Sequence, residues 1–184
     1  MTSAPGPTAD SVRLAWPAEA AAIAELQRRS WDALPAELGP TLLSGITLAE
    51  MTEAWHQFLN RPQQATRRLL VAVEQGQLAG FATTGAAQDP DRDPARDGEI
   101  DQFVIDPRAR HLGHGSRLLN ACADTLRADG FAHAVWWVLA TDDVLRAFLS
   151  SSGWAPDGAH REIGSEDASV RVKQIRLHTD LTPA

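Results

Sequence analysis

The chain has no tyrosine, a single cysteine and no long apolar run, and each absence excludes a class of protein or site. One cysteine, Cys122, rules out an intramolecular disulfide and a cysteine-rich metal site. No apolar run reaches the length of a membrane-spanning helix, so no membrane partner is expected. The first ten residues, MTSAPGPTAD, lack the apolar core of a signal peptide, and a cytoplasmic location is therefore expected.

Basic residues are also scarce. Lysine and arginine total 17 against 24 aspartates and glutamates, which gives a formal net charge of −7. No basic cluster offsets this charge, so a nucleic-acid partner is not expected. An acidic surface suits a cationic substrate, although many acidic proteins are simply soluble. The 184 residues are enough for one domain with a sizeable core. We expect a flexible N-terminus over residues 1–10 and a single domain over residues 11–184.

Apolar periodicity predicts the order βααββ-βαβαββ. Strands are expected over residues 11–16, 68–73, 78–84, 99–105 and 132–139, and again after Trp154. Four helices are expected: over residues 18–34, from Thr47, from Ser116, and from Thr141 or Asp142 to Gly153. One face of the first helix would be formed by Ala22, Ile23, Leu26, Ser30 and Ala33. Near Lys173 and Gln174 the apolar phase reverses, which indicates a bulge or a change of burial.

Several residues allow both a structural and a functional interpretation. Trp55 and Phe58, on a helix with a Thr47–Glu50 capping box, fit core packing better than a pocket wall. Cys122 falls on an apolar helix face, as expected for a buried structural thiol rather than a nucleophile. The loop over residues 88–98 carries Asp89, Asp91, Asp93 and Asp97. They are interpreted as solvated charges, with attraction of an amine substrate as the alternative.

A basic, glycine-containing turn joins the central strand to the third helix. Its residues are Arg110, His111, Leu112, Gly113, His114 and Gly115, and Ser116 is expected to start the helix. The two glycines let the backbone curl with little obstruction, so several N–H groups point to one spot at a helix N-terminus. Such a spot suits a phosphate or pyrophosphate. Arg108 and Arg110 either pair with phosphates or are surface charges.

These residues resemble the GCN5-related N-acetyltransferase (GNAT) superfamily, over about residues 11–178. Three segments carry the resemblance: Phe103-Val104-Ile105-Asp106-Pro107, the turn from Arg110 to Gly115, and Leu149-Ser150-Ser151-Ser152-Gly153-Trp154. A dinucleotide fingerprint would need a third glycine where Leu118 stands, and a nucleotide P-loop would need a lysine after Gly115. The resemblance implies an α/β fold with a mixed, centrally splayed sheet of about seven strands flanked by four helices.

The resemblance also implies a ligand and a reaction. It implies acetyl-CoA as acyl donor, a primary amine of a small molecule or peptide as acceptor, and no metal; a homodimer is left open. Coenzyme contacts would fall on two sets of residues. The turn residues Arg110, His111, Leu112, Gly113, His114, Gly115 and Ser116 would hold the pyrophosphate. Phe103, Val104, Ile105, Asp142 and Phe148 would contact the rest of the coenzyme.

Acetyl transfer to an ammonium needs a base, because an ammonium has no lone pair. Glu99 stands eleven residues before Arg110, an offset at which some family members place a catalytic glutamate. Asp101 is the second candidate, and a solvated carboxylate pair is the structural alternative. The family often protonates the leaving thiolate from a tyrosine, and Leu149 stands there instead. A CoA-binding protein without turnover, and an acyltransferase using another acyl-CoA, therefore remain alternatives.

Overall fold

The computed structural model describes residues 11–34, 38–62, 64–164 and 170–182, so the N-terminus expected to be flexible over residues 1–10 lies outside the described ranges. Five α-helices occur in those ranges: α1 (Ala20–Asp32), α2 (Gly39–Ser44), α3 (Leu48–Asn60), α4 (His114–Ala128) and α5 (Asp143–Ser151). The strands are β1 (Ser11–Leu14), β2 (Arg68–Glu74), β3 (Gln77–Ala86), β4 (Asp97–Ile105), β5 (His133–Leu139), β6 (Ala155–Gly164) and β7 (Arg171–Asp180).

The strands form one open mixed sheet in the order β1-β2-β3-β4-β5-β7-β6. Strand β4 runs parallel to β5, whereas β1 is antiparallel to β2, and β5 and β6 are antiparallel to β7. The β4–β5 register covers Asp97 to Ile100, and β4 continues to Ile105. The mixed sheet with its flanking helices confirms the predicted fold class, and the six-residue α2 adds to the four predicted helices.

Two compact units divide the chain, Met1–Thr83 with Gln102–Cys122 and Thr84–Asp101 with Ala123–Ala184. We call them the first and the second unit; the single domain expected over residues 11–184 stays a prediction. The first unit has an apolar core that includes Ile23, Leu26, Met51, Trp55, Val71 and Phe81. The Trp55 ring lies edge-on to Phe81 at 5.2 Å, and its Nε1 donates to Gln27 Oε1 at 2.8 Å. Core packing of Trp55, the favoured interpretation, is thus confirmed.

The second unit has its own buried side chains around β5. Val135 and Trp136 are both buried although they point to opposite faces, as expected for a strand covered on both sides. Trp136 lies edge-on to Trp154 at 6.2 Å. A Cβ on Gly98 of β4 would come within 2.7 Å of Leu126, so α4 packs directly on this strand.

Helix α4 confirms the predicted apolar stripe, because Leu118, Leu119, Cys122 and Leu126 are all buried. Burial raises the pKa of the Cys122 thiol to about 12, so the thiolate that a nucleophile needs is scarce at neutral pH. Cys122 is therefore a structural thiol, as expected.

Capping interactions mark the start of α3 and the ends of α4 and α5 at the positions that the sequence predicts. Thr47 and Glu50 form the expected reciprocal capping box at the start of α3. Helix α5 ends at Gly153, which has φ +86°, with Trp154 N donating to Leu149 O at 3.0 Å and Gly153 N to Ser150 O at 3.2 Å. This pair of bonds is the Schellman motif, which needs a left-handed residue at its glycine. Gly130 ends α4 in the same way, with φ +93°.

Two local predictions differ from the structure. Ala22 and Ala33 are exposed, because the buried face of α1 is rotated toward Ala20, Ala24 and Gln27. Of the two interpretations of the phase reversal near Lys173 and Gln174, the bulge is found instead in β6, between Pro156 and His160. A local turn causes it, in which Ala159 N donates to Asp157 Oδ1 at 2.9 Å and Gly158 has φ +90°. The change of burial is confirmed, because Lys173 is exposed whereas Arg176 and Leu177 are buried.

Candidate functional site

The turn between β4 and α4 is built by two left-handed residues. A short 3-10 turn (Pro107–Ala109) follows β4, and then His111 has φ +63° and Gly113 has φ +85°. Left-handed backbone is unfavourable for most L-residues, with histidine among the more tolerant types. A Cβ built on Gly113 meets no atom within 4 Å, so open space lies where a side chain would project.

Helix α4 begins at His114, two residues earlier than predicted. The bond from Arg117 N to Gly113 O at 3.2 Å is of the i to i−4 type that closes the first turn. Helix geometry leaves the first amides, those of His114, Gly115 and Ser116, without a carbonyl one turn before them. Together with the positive end of the helix dipole, these N–H groups form a site suited to an anion.

Asp106 fixes the entry to this turn. Its side chain is buried and accepts from Arg29 NH2 at 2.9 Å and from Arg108 NH2 at 3.0 Å, while its own N–H donates to Ala79 O at 2.8 Å. The hydrogen bonds from Arg108 and Arg29 hold the pKa of the Asp106 carboxyl well below its usual range. Asp106 therefore joins three parts of the fold: its carboxylate binds α1 and the turn, and its backbone N–H binds β3. Arg108, one of the two candidate phosphate ligands, is occupied with it.

His114, the first residue of α4, is fixed through its ring. The ring is buried, with Nε2 at 2.9 Å from Glu74 Oε2 and Nδ1 at 3.1 Å from Arg117 NH2. An arginine only donates, so Nδ1 accepts and Nε2 carries the hydrogen that is donated to Glu74. The ring thus anchors α4 to the end of β2, consistent with the expectation that the backbone of His114, rather than its ring, faces a ligand.

The end of β4 leads into this turn. Phe103, Val104 and Ile105 are half-buried there. Strand β3 approaches closely at Gly80, where a Cβ would lie 2.6 Å from Val104 O and 2.7 Å from Ile105 Cδ1. Glycine is required at this position because the neighbouring atom is part of the backbone and cannot give way.

In the second unit, β4 carries both candidate bases on one face. Ile100 is buried, so its neighbours Glu99 and Asp101 point to the opposite face, as their spacing predicts. Glu99 is half-buried and its Oε2 accepts from Gln88 N at 3.2 Å, whereas Asp101 is exposed. The β4–β5 register places Glu99 beside Val135.

The interpretation of the loop aspartates as solvated charges is wrong for Asp89 and Asp97, whereas the Asp91 side chain is 63% exposed although it is ion-paired. Asp89 and Asp91 accept hydrogen bonds from the buried Arg176, which also binds Asp157. Asp97 is buried, with Oδ1 3.0 Å from His133 Nδ1. The strand pattern does not predict a role for Arg176, because the apolar residues around it dominate that pattern. A charged residue between Ile175 and Leu177 in one strand was the available signal.

Arg176 and its carboxylate partners shift one another's pKa values in the directions expected for ion pairs. Hydrogen bonds from Arg176 lower the pKa of Asp91 to about 2, and the three aspartates raise the pKa of Arg176. The pKa of Asp157 is lowered as well, because its bonds to Ala159 N and Arg176 outweigh the effect of its burial.

Helix α5 holds the remaining predicted coenzyme contacts. Asp142 is its N-cap and accepts from Leu145 N at 2.9 Å, which confirms the capping role that the sequence suggested. Phe148 is half-buried. Leu149, at the position where the family often has tyrosine, is fully buried.

Neither a metal centre nor a membrane span is found in the described parts of the chain. Among those residues, no group of three or more histidine, cysteine, aspartate or glutamate side chains could hold a metal ion. No helix there combines the length and apolar character needed to cross a membrane.

One comparison with known proteins shows a family, and another shows the fold. The model of the acetyltransferase (GNAT) family matches residues 22–154. No curated protein matches the chain. An N-acetyltransferase from Staphylococcus aureus Mu50 superimposes with a TM-score of 0.75 at 19% identity, covering 95% of this chain and 100% of its own.

Two further solved structures show the same fold. The yncA protein from Salmonella typhimurium, solved with its cofactor acetyl-CoA, gives a TM-score of 0.72 at 19% identity and covers 96% of each chain. The ribosomal-protein-alanine N-acetyltransferase from Brucella melitensis gives a TM-score of 0.74 at 20% identity, covering 92% of this chain and 99% of its own.

The role of Asp106 makes a prediction about stability. Replacing it in Asp106→Asn leaves Arg29 and Arg108 without their anion, so the free energy of unfolding at pH 7 should fall by about 2 kcal/mol. The depressed pKa means that the ionised carboxylate contributes fully above the unfolded-state pKa of about 3.9, and that this contribution is lost as pH falls toward the folded-state pKa. Urea unfolding from pH 7 to pH 3 measures both effects.

Asp124→Asn is the matched control, since the Asp124 side chain is 74% exposed and forms an ion pair with Arg127. This substitution should lower the free energy of unfolding by less than about 0.5 kcal/mol. The difference in free energy of unfolding between the wild type and Asp106→Asn should be constant from pH 7 to pH 5 and should narrow below about pH 4. Two results would contradict the role given to Asp106. One is an equal loss of unfolding free energy in Asp106→Asn and Asp124→Asn, and the other is an Asp106→Asn difference that does not narrow at low pH.

Proposed function

Because the chain belongs to the acetyltransferase (GNAT) family, we propose that it transfers an acetyl group from acetyl-CoA to a primary amine of a small molecule or peptide. The observation that carries the proposal is the turn between β4 and α4. There His111 and Gly113 curl the backbone, and the first amides of α4 lie next to open space at Gly113. The Salmonella protein of the same fold holds acetyl-CoA, which supports acetyl-CoA as the donor.

The turn from Arg110 to Ser116 is proposed to hold the pyrophosphate. Amides at a helix start neutralise a phosphate through hydrogen bonds and through the helix dipole, without needing a lysine. Asp106, His114 and Glu74 keep this backbone in place from within the protein. The backbone of Phe103, Val104 and Ile105 at the end of β4 is proposed to bind the pantetheine arm. Asp142 and Phe148 of α5 are proposed as further coenzyme contacts.

Glu99 is proposed as the general base. Its carboxylate takes a proton from the acceptor ammonium, and the freed nitrogen lone pair attacks the carbonyl carbon of the thioester. The C–N bond forms, the C–S bond breaks and CoA leaves as a thiolate, while solvent water takes the second proton from the nitrogen so that the product is the neutral amide. The position of Glu99 supports this role, because it is half-buried and accepts a hydrogen bond that keeps its carboxylate oriented. Asp101, exposed on the same face of β4, is the second candidate.

The fate of the thiolate separates this chain from the family pattern. Leu149 is fully buried and apolar where a tyrosine is often found, and the chain has no tyrosine elsewhere. We propose that water protonates the thiolate, since a thiolate is a good enough leaving group to need little assistance. The same observation favours one rival, a CoA-binding protein without turnover. Use of a different acyl-CoA is a further variant, and competition between acyl-CoAs tests it.

Gly113→Glu tests the coenzyme site. The substitution places a negative charge beside the proposed pyrophosphate and forces a side chain onto left-handed backbone, so affinity for acetyl-CoA should fall at least about a hundredfold. Gly130→Glu is the matched control, because Gly130 also has a positive φ and open space around its Cβ position. Calorimetric titration with acetyl-CoA measures both variants. Unchanged affinity in Gly113→Glu would remove the turn from the coenzyme site.

Glu99→Gln tests the base. The variant should lose about a hundredfold in rate near neutral pH, and less at high pH, where the acceptor amine deprotonates without help. Affinity for acetyl-CoA should stay the same. Glu162→Gln is the control, since Glu162 has an exposed side chain on β6. The measurement is the pH–rate profile with an amine that the enzyme acetylates, and a profile identical to the wild type would exclude Glu99 as the base.

A further inference from the structure

One buried arginine in the second unit gathers three carboxylates. The Arg176 side chain is 4% exposed. Its Nε donates to Asp157 Oδ2 at 2.7 Å, NH1 donates to Asp89 Oδ2 at 2.9 Å, and NH2 donates to Asp91 Oδ2 at 2.6 Å. We call Arg176 and these three aspartates the Arg176 cluster. A buried guanidinium is costly unless it is paired, and here every nitrogen of the fork has a carboxylate partner.

The Arg176 cluster attaches the loop between β3 and β4 to the strands. Asp89 and Asp91 belong to the loop, Asp157 belongs to β6 and Arg176 to β7. Trp137 of β5 pairs with Arg176 in the β5–β7 register and also binds the loop. Its indole Nε1 donates to Asp89 Oδ2 at 2.9 Å. Asp89 is therefore fixed by two donors from two neighbouring strands.

The residue before Asp89 binds the proposed base. Gln88 N donates to Glu99 Oε2 at 3.2 Å. Gln88 directly precedes Asp89, so the donors that fix the Asp89 carboxylate limit where the backbone of Gln88 can lie, and with it the position of the Gln88 N–H. A hydrogen bond to a carboxylate stabilises its ionised form, which is the form that accepts a proton.

We propose that Arg176 is a positioning residue for Glu99, acting through Asp89 and the Gln88 N–H. This inference rests on the proposed function, in which Glu99 is the base. Arg176 itself is not proposed to touch the substrate or the coenzyme. Its role is to hold the loop so that one backbone N–H points at the carboxylate that receives the proton.

Other titratable groups lie on the same face as Glu99. They are Asp97 and Asp101 on β4, His133 on β5, His178 and Asp180 on β7, and Asp89, which binds Trp137 of the same face. Any of them could change the proton affinity of Glu99 through charge alone. A test of positioning must therefore alter the geometry of the Arg176 cluster while keeping its net charge.

Arg176→Lys meets this condition. A lysine keeps the positive charge, but its ammonium is a single point and cannot reproduce the planar fork that joins three carboxylates. Trp137→Phe is the second variant, since it removes the indole donor to Asp89 without any change of charge. Arg161→Lys is the control. Arg161 lies 4.3 Å over the same Trp137 ring and donates to Gln174, and it contacts none of the three aspartates.

The readout is the pKa of Glu99, followed by the ¹³C shift of its carboxyl carbon during a pH titration of each full-length variant without ligand. Arg176→Lys should raise this pKa by about one unit, a tenfold change in proton affinity. Trp137→Phe should raise it by less, and Arg161→Lys should leave it at the wild-type value. The acid limb of the pH–rate profile should move by the same amount. An unchanged Glu99 pKa in both Arg176→Lys and Trp137→Phe would overturn the inference.

The failure of the inference and the failure of the proposed function give different results. If Glu99→Gln keeps the wild-type acid limb, Glu99 is not the base, and the proposed mechanism fails whatever Arg176 does. If Glu99→Gln abolishes the limb while Arg176→Lys leaves both limb and pKa in place, only the positioning role fails. Should Arg176→Lys not fold, Trp137→Phe decides by itself, because it leaves every charged pair of the Arg176 cluster intact.

Discussion

The passage from β4 into α4 depends on a backbone constraint, the left-handed conformations of His111 and Gly113. These two conformations let the chain curl between the end of a strand and the first turn of a helix. The strain of a non-glycine residue at positive φ is of order 1–2 kcal/mol, so contacts elsewhere must offset it. The bonds of Asp106 before the turn and of His114 after it fix both of its ends and so hold the strained residues in place.

Buried charged or polar groups serve the same purpose in both units. In the first unit, Asp106 joins Arg29 and Arg108, and the His114 ring joins Glu74 and Arg117. In the second unit, Arg176 joins three aspartates. Each group would be expensive to bury without a partner, and each has partners in segments distant in sequence. The cost of breaking these pairs favours one loop geometry over its alternatives.

Much of the fold could be predicted from the sequence because its signals are local. Periodicity located the apolar stripe of α4, and a glycine followed by an aromatic residue located the end of α5. The turn was found because glycine and basic residues stand together between a strand and a helix. The start of α4 was placed two residues late, since His114 is a weak helix signal and its burial against Glu74 is not visible in sequence.

What the sequence did not reveal is pairing between distant residues. Asp89 and Arg176 lie 87 positions apart, and Asp97 and His133 lie 36 apart. Composition allowed either a solvated or a paired state for each aspartate, and only the strand register decides between them. The carboxylates Glu99 and Asp101 could be placed on one face because alternation along a strand is local. The Gln88 N–H that binds Glu99 comes from a loop, whose path no sequence pattern predicts.

The proposed transfer of an acetyl group from acetyl-CoA to an amine can be measured directly. The most direct measurement incubates the full chain with acetyl-CoA and a panel of primary amines that includes amino acids, polyamines and peptides with free N-termini. Free CoA thiol and N-acetylated product are then quantified together. The account predicts thiol release that depends on at least one amine and equals the acetylated product formed. Saturable binding of acetyl-CoA with no amine-dependent release of thiol would contradict it and leave a coenzyme-binding protein without turnover.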